Sequence, residues 1–188
     1  MAPLARDILD FWFGPPPPAA RGEWFRKDAV FDAAIRARFG VAIESAMGGA
    51  FREWQSDAGG ALARVLLLDQ FTRNAFRDTP RAFAGDGEAL ATAIAIVDAG
   101  FDRTFNRYQR SFAYLPFEHA EDLAAQRRSV ALFGGLAGDA DSPGAIDYAH
   151  RHYGVISRFG RFPHRNAILG RESTSEELVF LSQPGSSF

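Results

Sequence analysis

Cysteine is absent from the 188-residue chain, which removes disulfides, zinc–thiolate centres and cysteine nucleophiles from consideration. Lysine is nearly absent too, with Lys27 standing alone against twenty arginines. Acids and bases almost cancel at a formal net charge of −2, so no global field draws the chain toward nucleic acid or an anionic membrane. The basic residues are not laid along one helix with interleaved aromatics, and no nucleic-acid partner is expected. No run approaches the ~18 apolar residues of a membrane span. Arg6, Asp7 and Asp10 interrupt the apolar N-terminal residues, where a signal peptide would need an uncharged stretch of ~7–15 residues. These absences point to a soluble, cytoplasmic protein. A Gly-rich phosphate loop, a Gly-x-Ser-x-Gly elbow, a dinucleotide fingerprint and a His-Glu-x-x-His pair are all missing, so neither cofactor nor metal is expected.

What the chain has is aromatic and helical. Eighteen Phe, three Trp and four Tyr accompany an apolar fraction of 47%, enough for one packed domain spanning 1–188. Leu4, Ile8 and Trp12 repeat every four residues until Gly14 and Pro15 to Pro18 end the pattern. Asp28 is placed to cap a helix carrying Phe31, Ile35 and Phe39 on one stripe. The run from Leu62 through Leu68 to Phe71 is apolar on all sides, which assigns it to the centre of a bundle. A helix over 86–99 stops at Gly100, another spans about 106–115, and Pro116 is expected to start the next. Ser142-Pro143 is a cap followed by proline at the first helical position, and that helix stops at Gly160. Ser173-Thr174-Ser175-Glu176 reads as a capping box for a short last helix. Strand-like alternation is lacking. The expected fold is all-α: seven to nine helices packed as antiparallel hairpins, with no repeat at the ~34-residue period of tetratricopeptides.

Three segments carry the chemistry. In Arg158–Arg171, four arginines and His164 fall within fourteen residues that contain no acid. Gly160 and Pro163 force a turn there, and Arg165, Asn166 and His164 together make a candidate anion site. His164 is also the candidate for proton transfer, because an unperturbed imidazole titrates near pH ~6.5. A second Arg-Asn corner follows Asp69 in Gln70-Phe71-Thr72-Arg73-Asn74. If the helix continues to Arg77, then Gln70, Arg73, Asn74 and Arg77 share a face; the alternative for Asp69 is an i,i+4 ion pair with Arg73. In the third segment, Pro116 to Asp122, helical spacing puts Glu118, Glu121 and Asp122 on one face with His119 beside it. That set suits a general base or an acidic wall opposite the arginines, while acids in a first turn also simply complement the helix dipole. His150 falls near the buried stripe of its helix and reads as a core residue, with His152 on another side.

Four ordered motifs add a resemblance. Leu66-Leu67-Leu68-Asp69-Gln70-Phe71-Thr72-Arg73-Asn74, Thr79-Pro80-Arg81-Ala82-Phe83-Ala84, Tyr114-Leu115-Pro116-Phe117-Glu118-His119-Ala120-Glu121-Asp122 and Arg158–Asn166 resemble the bacterial family catalogued as domain of unknown function 924. Asp10-Phe11-Trp12-Phe13-Gly14 and Trp24-Phe25 are similar to it as well. Thr72 departs from the pattern, since proline is expected there. The resemblance implies a tetratricopeptide-like superhelix and no assigned activity.

Three readings of the polar residues follow. In a binding module, Gln70, Arg73, Asn74, Arg77, His119, His164, Arg165 and Asn166 line a groove for a carboxylate or phosphate on a peptide terminus or small metabolite. In an enzyme, His164 is the general acid–base with Glu118 or Asp122 as its partner, acting on a small anionic substrate. In the third reading the same residues form an internal network. Oligomeric state is not written in the residues.

Overall fold

The computed structural model describes residues 1–17, 19–139 and 142–187, without the side chain of Ser142. Local chemistry explains where its helices begin. Helix α1 (Pro3–Phe13) has proline in its first turn and stops at Gly14, whose φ of 72° suits glycine. Asp28 caps α2 (Ala29–Met47), accepting the N–H groups of Val30 and Phe31 at 3.0 Å. Asp57 caps α3 (Ala58–Val65) in the same way. A π-helical turn, Leu66–Phe71, then carries the chain into α4 (Thr72–Ala75), so that α3, the π turn and α4 form one rod. Helices α5 (Asp86–Asp98) and α6 (Arg107–His119) follow, the latter opened by an Asn106–Gln109 capping box. Asp122 caps α7 (Leu123–Gly134). Helix α8 (Ser142–Phe159) precedes α9 (Ser175–Leu181). With the rod taken once, eight helices and no strand occur among the described residues.

The rod is the centre. Every residue from 60 to 72 is buried, and the rod packs against α1, α2, α5 and α6. Trp12 of α1 meets Phe71 of the rod and Phe112 of α6 at ring-centroid distances of 5.5 and 5.3 Å, the edge-on and tilted geometries that aromatic quadrupoles favour. One charged side chain lies deep within this apolar rod. Arg64 is fully buried, with Glu88 at 2.5 Å, Thr92 and the carbonyls of Ala50 and Glu88 around its guanidinium. No helix among the described residues is long and apolar enough to cross a membrane.

Several expectations are corrected. Pro116 lies inside α6 rather than starting a helix. It deletes one backbone bond, but its neighbours Leu115 and Phe117 are buried, and packing carries the helix to His119. The chain then breaks, so Glu118 and Asp122 belong to different helices and share no helical face. His150 is exposed and His152 is the buried one. The last capping box is Thr174 with Glu177, one residue later than the Ser173–Glu176 reading. The capping role expected of Ser142 lies outside the described residues.

Candidate functional site

The π turn decides where the first Arg-Asn corner points. A π turn takes an extra residue, so the i,i+3 and i,i+4 spacing from Gln70 onward no longer describes one face. Gln70 and Arg73 turn toward α6 and α5: Gln70 Nε2 donates to Asp69 at 2.6 Å, and Arg73 forks onto Asp86 at 2.7 and 3.0 Å. Asn74 and Arg77 turn instead to Asp32 of α2, at 2.7 Å for Asn74 Nδ2 and 2.5 Å for Arg77 Nε. The expected shared face of Gln70, Arg73, Asn74 and Arg77 therefore does not form.

On the α5–α6 side an alternating chain of charges runs through the protein. His119 Nδ1 lies 2.6 Å from Asp69 Oδ1, and Arg73 Nη1 lies 3.1 Å from the same oxygen, so the Asp69–Arg73 ion pair is present. Arg73 bridges on to Asp86, and Asp86 Oδ2 accepts from Arg165 Nη1 at 3.3 Å. Burial opposes ionisation of Asp69, but Arg73, His119 and Gln70 outweigh it and hold the carboxyl well below the usual range. Burial, then Arg73, lowers the pKa of His119 from that of a free imidazole. A neutral imidazole beside an ionised, acceptor-only carboxylate carries its proton on Nδ1. The arrangement is an oriented Asp–His pair.

This chain opens onto a groove of about 490 Å³ between the start of α5 and the α6–α7 junction. Pro80, Phe83, Leu90 and Leu169 supply apolar walls, and His119, Arg165, Asp86, Glu121 and Asp122 supply polar ones. The three carboxylates are already engaged. Asp86 holds Arg73 and Arg165, Glu121 pairs with Arg171 at 2.6 Å, and Asp122 caps α7 through the Ala125 N–H. Arg165 differs. Its guanidinium is sandwiched between the rings of Phe83 and Phe162, at 4.7 and 4.4 Å from their centroids. Burial and then Arg73 push its pKa down to about 10, which still leaves a cation at neutral pH. Asp86 is its ion-pair partner, while Nε is buried without one and Nη2 makes no protein hydrogen bond among the described residues.

The other expected site residues lie away from the groove. Asn166 is tied to Ser173, Glu177 and Arg171. His164 does not line the groove; it lies against Phe162, and burial followed by Arg165 lowers its pKa to about 4. Glu118 is buried behind His119, where burial and the Asp69 charge raise its carboxyl to about 8. Its neighbour His152, at 3.4 Å, is lowered to about 3 by burial and then by His119. At neutral pH that pair is uncharged. Asp86 and Asp32, which organise both corners, were not singled out from sequence. An acid at a helix start reads as a dipole complement, and only long-range pairing reveals its second role.

The whole-chain match fits this geometry. A model of a bacterial family of unknown function, DUF924, covers residues 8–185. The chain belongs to this family. It is also similar to a solved structure of a protein of unknown function from Agrobacterium tumefaciens, with 42% identity over 95% of this chain and 97% of that one and a TM-score of 0.86. No curated protein matches the chain. The family's Asp69, Arg73 and His119 positions are the ones that meet in the ion chain, whereas its Asn74 and Asn166 positions brace other helices.

Proposed function

We propose that the protein is a binding module whose groove receives the carboxylate or phosphate of a small metabolite or peptide terminus. The observation that carries this reading is Arg165. A cation held between two aromatic rings, facing one carboxylate at 3.3 Å with Nη2 unbonded, is preorganised for a planar or tetrahedral oxyanion. The carboxylates around it are matched to other partners, so an incoming anion meets the guanidinium rather than three free acids. Pro80, Phe83, Leu90 and Leu169 suit an apolar portion of the same ligand. Arg73 supports Arg165 from behind through Asp86 and does not itself line the groove.

Thermal unfolding against a panel of anionic metabolites and C-terminal peptides tests the proposal. A ligand at ~100 times its Kd adds about 2.7 kcal/mol, and each kcal/mol moves the midpoint by roughly 2–4 °C at this chain length. Arg165→Ala should abolish the shift while remaining folded. A shift that survives in Arg165→Ala would remove Arg165 from the site.

A further inference from the structure

His119 and Arg165 terminate the same chain of charges, and each ends in a polar atom directed away from it. His119 uses Nδ1 on the fully buried Asp69, and the ring lines the groove. Its Nε2 has no hydrogen-bond partner among the described residues and is not among the buried unsatisfied atoms, so it is open to the groove. With Asp69 accepting the Nδ1 proton, Nε2 can only accept a hydrogen bond. Arg165 Nη2 can only donate one. The groove thus offers one acceptor and one donor with complementary demands, beside apolar walls.

We propose that the groove recognises a small hydroxy acid, whose hydroxyl donates to His119 Nε2 while its oxyanion accepts from Arg165. This rests on the reading of Arg165 as an anion site and adds the second contact. A simple carboxylate or phosphate leaves Nε2 facing an acceptor, or water. A hydroxyl satisfies it, and Asp69, itself braced by Arg73 and Gln70, holds the ring in the required tautomer. Phe83, Leu90 and Leu169 favour a ligand with an aliphatic or aromatic body over a bare one. The oxyanion is left as carboxylate or phosphate, since the guanidinium fork accepts either.

Two matched pairs of probes decide the matter: phenyllactate against phenylpropanoate, and glycerol phosphate against propyl phosphate. Affinity is measured by calorimetry, and the His119 ring nitrogens are followed by nitrogen-resolved NMR in the wild-type protein. In at least one pair the hydroxylated member should bind about tenfold tighter, the worth of one good hydrogen bond, and should shift the Nε2 resonance. The pair that responds names the oxyanion. His119→Phe should erase the advantage of the hydroxyl but keep the deoxy affinity, while Arg165→Lys should weaken both members. Equal affinity within both pairs, or an advantage that persists in His119→Phe, overturns the hydroxyl contact and leaves the anion site standing. If no probe binds, or if Arg165→Lys changes nothing, the anion site fails and the hydroxy-acid assignment falls with it. The NMR signal reads Nε2 without any substitution, so it decides the contact even if a variant fails to fold.

Discussion

Gly85 lies so close to the π turn that a Cβ on it would fall 2.2 Å from the carbonyl oxygen of Leu68. This approach brings the start of α5 against the rod and puts Asp86 within reach of Arg73. Gly85→Ala must push backbone away from backbone, which no rotamer change relieves. We expect a loss of about 1–3 kcal/mol, the range for overpacked sites, or more. Two residues on, Gly87 has open space around its Cβ position, and Gly87→Ala should be neutral or stabilising by up to about 1 kcal/mol. Paired denaturant curves for the two variants check the contrast.

Asp69 is the one anion holding both Arg73 and His119. Asp69→Ala leaves Arg73 with Asp86 alone and removes the acceptor that orients the imidazole. Breaking a buried pair on one side costs about 3–5 kcal/mol. Asp69→Asn retains the shape and should cost less, yet it should release the fixed tautomer of His119. Unfolding curves measure the first effect and the ring-nitrogen spectrum of His119 the second.

Stability should peak slightly above pH 6.5, the ordinary value for histidine from which His119, His152 and His164 are lowered. Below it, the unfolded chain takes up protons that the folded imidazoles refuse, so acid destabilises the fold. Glu118 acts in the opposite sense. Its carboxyl is raised from 4.5 to about 8, so between those values the folded state keeps a proton that the unfolded state releases. Its contribution is present below pH 4.5 and is lost as pH rises toward 8. Between 6.5 and 8, Glu118 is the group that tilts the curve downward. Glu118→Gln should flatten that limb and leave the acid limb intact. Melting temperatures from pH 5 to 9 (roughly, spanning these pKa values) reveal which limb moves.

Much of the architecture was legible from local chemistry. Asp28 as a cap, Gly14, Gly100 and Gly160 as stops, and the all-round apolar run through Leu66 to Phe71 each act within a few residues, and each appears where expected. Local rules failed where packing overrode them. Pro116 stays helical because buried neighbours hold it, and the π turn redirects Asn74 and Arg77 to Asp32.

The residue types alone determined an all-α chain and the set of polar side chains from which a site is drawn, because helical periodicity and capping are short-range effects. Which of those side chains meet was decided by tertiary structure alone. Arg165 reaches Asp86 across 79 positions, and His119 reaches Asp69 across 50. A charge finds its partner through space, and the sequence records only that both charges exist.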